Sequence, residues 1–125
     1  MKKLGQHFLV DYPLLDRLVD YGQVSKKDIV LEVGTGTGEL TWRLAEKAGK
    51  VLAIEIDEKL IEETSRKLNK YNNVELINGD ILKIKHKIRG FNKVVSNPPY
   101  QISTRLMHWL ITNLPERIVL TLQKD

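Results

Sequence analysis

Ile29-Val30-Leu31-Glu32-Val33 runs directly into Gly34-Thr35-Gly36-Thr37-Gly38. Five residues dominated by branched apolar side chains read as a buried strand. Glycines at alternate positions then let the backbone turn sharply and let a ligand lie against the main chain. A helical pattern follows over Glu39 to Ala48, closed by Gly49. A lone glycine loop is also just a tight turn, so its spacing has to be tested. A dinucleotide fingerprint G-x-G-x-x-G would need a third glycine at Glu39 or at Thr41, and neither is one. Glu32, two residues before the first glycine, suits no pyrophosphate. It suits a ligand that carries an ammonium and a sulfonium.

Outward from that loop the same alternation repeats. Upstream, Asp11 is placed to cap a helix with Pro13 in its first turn, Leu14, Leu15, Leu18 and Val19 on one face, and Gly22 at its end. Downstream, Val51 to Ile56 reads as a second strand. Asp57 caps a helix whose inner face is Leu60, Ile61, Thr64 and Leu68. Val74 to Ile77 reads as a third strand before the turn Asn78-Gly79-Asp80. A fourth strand begins near Phe91 and ends at Val94-Val95. Ser103 caps a helix carrying Leu106, Met107, Leu110 and Ile111, and Ile118 to Leu122 is a fifth strand. Strands alternating with helices imply an α/β fold: a Rossmann-like, doubly wound parallel sheet.

The bulk numbers permit one such domain. The chain has 125 residues, 42% hydrophobic and 29% charged, an ordinary balance for a globular protein with a real core. It has no cysteine, which excludes disulfides, thiolate zinc sites and a cysteine nucleophile. No apolar run reaches the roughly 20 residues of a membrane helix, and Met1 to His7 lacks the long apolar stretch of a secretion signal, so none is expected. A cytoplasmic location is expected. A formal charge of +4 and a pI near 9.3 fit an anionic partner such as nucleic acid.

In doubly wound sheets ligands bind beyond the carboxyl ends of the strands. Each motif of interest falls at such an end: Gly34–Gly38, Glu55, Asp80 and Asn97–Tyr100. Glu55, 21 residues after Gly34, is placed to accept both ribose hydroxyls, with Ile56 beside it. Asp57 reads as a helix cap. Asp80 is placed to accept from an adenine amine with Ile81 near the ring, although an Asp after Gly is often only a turn residue. In Asn97-Pro98-Pro99-Tyr100, prolines remove backbone donors and leave carbonyls unquenched. Asn97 adds a side-chain acceptor and Tyr100 a stacking face. Two acceptors aimed at one exocyclic amine beside a ring clamp suit amine alkylation; taken alone, Asn-Pro reads equally well as a plain strand-to-helix turn. The cofactor-binding candidates are Glu32, Gly34, Thr35, Gly36, Gly38, Glu55, Ile56, Asp80, Ile81 and Asn97. The catalytic candidates are Asn97, Pro98 and Tyr100. Together they describe a pocket for S-adenosyl-L-methionine.

The chain resembles the ribosomal RNA adenine N6-dimethyltransferases, a family that includes the macrolide-resistance RNA methylases. The match rests on Leu4-Gly5-Gln6-His7-Phe8-Leu9, on Glu32 to Gly38, and on Ser96 to Tyr100 followed by Gln101-Ile102-Ser103. The resemblance implies a class I methyltransferase catalytic domain over residues 1–125. It implies methyl transfer to the N6 amine of adenine in ribosomal RNA, with ribosomal RNA or a pre-ribosomal small subunit as partner. It also implies that Gln6, with neighbours His7 and Leu9, covers the methionine end of the cofactor; His7 reads equally well as a contact within the entry segment. Pro98 stands where this family usually has Leu or Ile, and the double proline is commoner in DNA adenine and protein amide methylases. The family normally continues past Thr121-Leu122-Gln123-Lys124-Asp125 into further strands and a helical RNA-binding domain. The chain is therefore expected to be the N-terminal portion of a catalytic domain, truncated after the fifth strand. Self-association through that exposed edge, or a frayed end, is expected.

Other features read more plainly. Lys83, Lys85, His86, Lys87 and Arg89 could follow a phosphate backbone, or be the solvated face of a connection with Ile84 and Ile88 inward. His86 and His108 lack partners at ligand spacing, so no metal is expected. Glu58, Glu62 and Glu63 read as a wet helix face paired with Arg66 and Lys67. Trp42 and Trp109 read as packing residues. The competing functions are a DNA adenine or protein amide methylase, a non-catalytic cofactor- or RNA-binding module and, disfavoured by the glycine spacing, a nicotinamide oxidoreductase.

Overall fold

The computed structural model describes residues 10–98 and 103–121. Helix α1 spans Tyr12–Gly22, strand β1 Ile29–Val33, α2 Glu39–Lys47 and β2 Lys50–Glu55. They are followed by α3 Glu58–Lys67, β3 Val74–Asn78 and the single turn α4 Ile81–Ile84. A 3-10 turn, Lys85–Lys87, leads to β4 Lys93–Ser96, α5 Ser103–Thr112 and β5 Arg117–Leu120. The five strands form one sheet in the order β3-β2-β1-β4-β5, with every pairing parallel. The direction of winding reverses between β1 and β4, which makes their carboxyl ends the switch point.

Strand alternation explains the two cores. Val30, Val51, Ala53 and Val95 face α1 and α2, where Leu15, Leu18, Val19, Leu40, Leu44 and Ala45 are buried. Leu31, Val33, Leu52, Ile54 and Val94 face the other way, against Ile81, Ile88, Leu106 and Leu110. The near-continuous apolar runs of β1 and β2 follow from cover on both faces. Pairing between β1 and β4 covers Val30 with Lys93 and Leu31 with Val94. Beyond it the buried Ser96 bridges the gap. Its hydroxyl donates to the Val33 carbonyl at 2.7 Å and accepts from the Val33 amide at 3.0 Å. That side chain thus carries the β1–β4 contact past the last paired residues.

At the opposite end of the sheet a polar knot ties β1 to β4. Asn92 donates to Asp28 Oδ1 at 2.9 Å and accepts from the Ile29 amide at 2.7 Å. Lys93 pairs with Asp28 Oδ2 at 2.9 Å. Burial alone would raise the Asp28 carboxyl, but hydrogen bonds from Asn92, Lys93 and the Ser25 amide bring it down to about 2.

Gly22 ends α1, as expected, and Gln23 after it takes the left-handed position with φ 49°. Close packing requires the glycine: a Cβ on Gly22 would lie 2.7 Å from Val95 Cγ2. Several other local expectations are corrected. Helix α2 ends at Lys47, β4 starts at Lys93, and β5 spans Arg117–Leu120. Ser103 is inside α5, and Ile111 is exposed on its outer face while Leu106 and Leu110 are buried. Lys67 pairs with Glu39 of α2 at 3.1 Å, joining α3 to α2. Asp11 caps α1 and Asp57 caps α3, as expected. Ile88 is buried and Ile84 partly so beneath the basic run. Among the described residues no helix is long and apolar enough to cross a membrane, and no acidic or histidine group is placed to hold a metal ion.

Candidate active site

A cavity of about 500 Å³ opens at the switch point, within the range of pockets that hold small molecules. One wall is the β1–α2 loop, Gly34 to Thr37, with Glu32 beneath it; Asn97 closes the β4 side. Val10, Asp11, Leu14 and Leu15 come from the entry to α1, and Asp57 and Leu60 from the start of α3.

The loop adopts its shape because Gly34, Gly36 and Gly38 all have positive φ, at 81°, 58° and 87°. Contacts from two elements, β2 and α3, then pin it. The Gly34 amide donates to the Ile54 carbonyl at 2.8 Å. Thr64 Oγ1 on α3 donates to the Gly36 carbonyl at 2.7 Å. Glu55 Oε1 accepts from the Gly36 amide at 2.7 Å, and its Oε2 from the Asp57 amide at 3.0 Å.

Glu32 is 1% exposed and accepts a short hydrogen bond from Thr41 Oγ1 on α2. Burial pushes its carboxyl up to about 8, against the Thr41 hydrogen bond and with help from the charge of Glu55. Neither partner of Glu32 is a cation. A buried carboxylate on a cavity wall in that state suits a positively charged ligand group, because such a group would restore its ordinary ionisation. The donor set therefore fits the ammonium end of S-adenosyl-L-methionine.

Of the residues singled out in the sequence, Glu32, Gly34, Thr35, Gly36 and Asn97 line this one cavity. Glu55 lies behind the loop, 6% exposed, with both oxygens engaged by backbone amides. Gly38 immediately precedes α2 as its N-cap and packs on α3: a Cβ there would meet Thr64 Cγ2 at 3.0 Å. Ile56 is 63% exposed at the end of β2, an apolar side chain left on the rim. Asp80 caps α4 through the Leu82 amide at 3.0 Å, with Ile81 buried beside it. Pro98 follows Asn97 and is buried. Gln6, His7, Leu9 and Tyr100 lie outside the described residues. Three contributors were not anticipated: Thr41, Ser96 as the bridge to Val33, and Thr121. The Thr121 hydroxyl, just past β5, donates to Asn97 Oδ1. Such partners come from sequence-distant elements, and no spacing rule reveals them.

The family model for "Ribosomal RNA adenine dimethylase" matches residues 1–125. The probable ribosomal RNA small subunit methyltransferase A of Pyrococcus abyssi is 45% identical over 123 residues, which is 98% of this chain and 45% of that protein. Among solved structures, a dimethyladenosine transferase from Plasmodium falciparum superposes with a TM-score of 0.83 at 38% identity, covering 94% of this chain and 44% of that one. The 23S rRNA methyltransferase ErmE gives 0.80 at 28% identity, covering 93% and 48%. The chain thus spans about half the length of the curated relatives it matches. A matched family model over the whole sequence, on a class I methyltransferase sheet with its cavity at the switch point, places the chain in the ribosomal RNA adenine dimethylase family.

Proposed function

We propose that this chain binds S-adenosyl-L-methionine and transfers its methyl group to the N6 amine of adenine in ribosomal RNA. One observation carries the reading: the buried carboxylate Glu32 and the amide Asn97 line a single cavity from opposite sides of the switch point. The names of the relatives, a small subunit methyltransferase and a dimethyladenosine transferase, support the same substrate class.

Glu32 and the Gly34–Thr37 backbone hold the methionine end. Glu55 accepts from the ribose: both oxygens are engaged once, and a carboxylate offers about four acceptor sites. Ile56 packs on the adenine of the cofactor, and Asp80 with Ile81 borders that ring. The cofactor supplies a methyl group already activated on a sulfonium. The target adenine must be unpaired or flipped, at a cost of a few kcal/mol, and stacking on Tyr100 returns roughly 1–3 kcal/mol. The Asn97 side-chain carbonyl and the Pro98 carbonyl accept from the exocyclic amine and favour its pyramidal form. With the cofactor bound, the amine nitrogen would take the methyl group as the sulfonium leaves as a neutral thioether, and the cationic nitrogen would then lose its proton to water. No dedicated base is needed; positioning and electrostatics do the work.

Pro98 favours a second reading, transfer to DNA adenine or a protein amide. Labelled cofactor incubated with separate RNA, DNA and protein acceptors separates the two. Label in small-subunit ribosomal RNA alone is expected. Label only in DNA or protein would replace the proposal, and cofactor binding with no transfer to any acceptor would leave a binding module.

A further inference from the structure

A second depression, of about 390 Å³, lies between Lys85, His86, Ile88, Arg89, Gly90 and Phe91 on one side and Trp109 and Asn113 of α5 on the other. It sits at the amino ends of the strands. Phe91 precedes β4 and Asn97 follows it, so the two sites are separated by the length of that strand, roughly 20 Å at about 3.3 Å per residue.

Three observations set this patch apart from an ordinary wet surface. The first is charge. Lys83, Lys85, Lys87 and Arg89 fall within seven residues, and none pairs with a carboxylate among the described residues. The depression is lined by no acidic side chain. The second is the aromatic pair. Phe91 and Trp109 sit 5.8 Å apart at 54°, half-buried, so the tryptophan is braced from one side while its lining surface faces the depression. The third is rigidity. Ile88 is buried and the 3-10 turn holds its amide to Lys85 at 3.0 Å, so the cations are presented from a fixed backbone.

We infer that this depression is a second RNA contact, in which a base stacks on Trp109 while Lys85 and Arg89 hold the flanking phosphates of a single-stranded segment. Cations beside a braced aromatic face are what single-stranded nucleic acid requires. An acidic peptide would satisfy the charge but leave the aromatic surface unused. The inference rests on the reading of RNA as substrate. It adds an anchor on the end of the sheet away from the chemistry, which would fix the orientation of the RNA on the domain.

The test uses the whole chain, a fluorescein-labelled single-stranded oligoribonucleotide and a salt titration. Lys85→Ala/Arg89→Ala is expected to weaken RNA binding roughly fivefold or more and to reduce the salt slope by about 1.4, the loss of two single-strand phosphate contacts. It should leave S-adenosyl-L-methionine affinity and turnover at saturating RNA unchanged. In a Trp42→Phe background, RNA is expected to quench Trp109 fluorescence, whereas tripolyphosphate, which has no base, is not. Wild-type affinity and salt slope in the double variant, or no quenching by RNA, would overturn the inference. Methyl transfer by the wild type is scored separately. Transfer to ribosomal RNA together with an unaffected double variant removes the anchor alone. Loss of binding in the variant with no transfer by the wild type removes the methylase reading and leaves the anchor standing. A wild type that binds no RNA overturns both.

Discussion

Asn97 is held from outside its own loop. Thr121 donates to its side-chain oxygen, so the rotamer of the proposed acceptor is set by the residue just past β5. Asn97→Ala is expected to abolish methyl transfer while leaving cofactor affinity within about twofold. Thr121→Val is expected to lower turnover roughly tenfold, about 1.4 kcal/mol, with Thr121→Ser restoring most of it. Single-turnover transfer beside a calorimetric titration reads both; wild-type turnover in either Asn97→Ala or Thr121→Val would remove that role. Glu32 gives a pH signature. Its folded carboxyl holds a proton up to about 8, whereas an unfolded glutamate releases it near 4.5. The unfolded chain therefore binds fewer protons in that window, and stability of the ligand-free protein falls as pH rises through it. Glu32→Gln is expected to flatten this dependence in thermal melts between pH 5 and 8. Asp28 acts in the opposite direction but only at more acid pH, toward its value of about 2. A slope unchanged by Glu32→Gln would mean that Glu32 does not carry it.

At the scale of elements, close approach governs more than propensity does. Gly22 belongs to α1 because β4 lies against it. Gly22→Ala gains helix propensity of up to about 1 kcal/mol but forces overpacking worth about 1–3 kcal/mol. The clash should win, and the urea midpoint should fall with an unchanged slope; a raised midpoint would contradict the packing argument. The helix end at Gly22 was legible, but this reason for a glycine there was not. A glycine at the end of an apolar helical pattern signals a left-handed stop, and nothing in the sequence says that Val95, 73 positions away, competes for its space. Asp11 and Asp57 were legible because a cap is a local hydrogen bond, three residues long or less. Ile111 was not, since helical period marks an apolar stripe without saying how wide a stripe the sheet covers. Lys67 reaches Glu39 across two helices, a pairing that no i,i+4 pattern reveals.

Across the whole molecule, alternation of strands and helices was enough to imply a parallel sheet with ligand-binding residues at one rim. Five residues singled out in the sequence do line one cavity there. The bridge from Ser96 to Val33 beside it was not legible, because the two residues lie on strands far apart in the sequence. Nor was the second role of Glu55, which braces the glycine loop from behind. On this account the sheet's switch point is a preformed cradle for a cation-bearing nucleoside, and its buried carboxylate waits for that charge. Calorimetric titration of S-adenosyl-L-methionine into the wild type and into Glu32→Gln at pH 8 tests this most directly. The account predicts one site per chain in the wild type and affinity at least tenfold weaker in the variant. Equal affinity in the two proteins, or no binding to either, would contradict it.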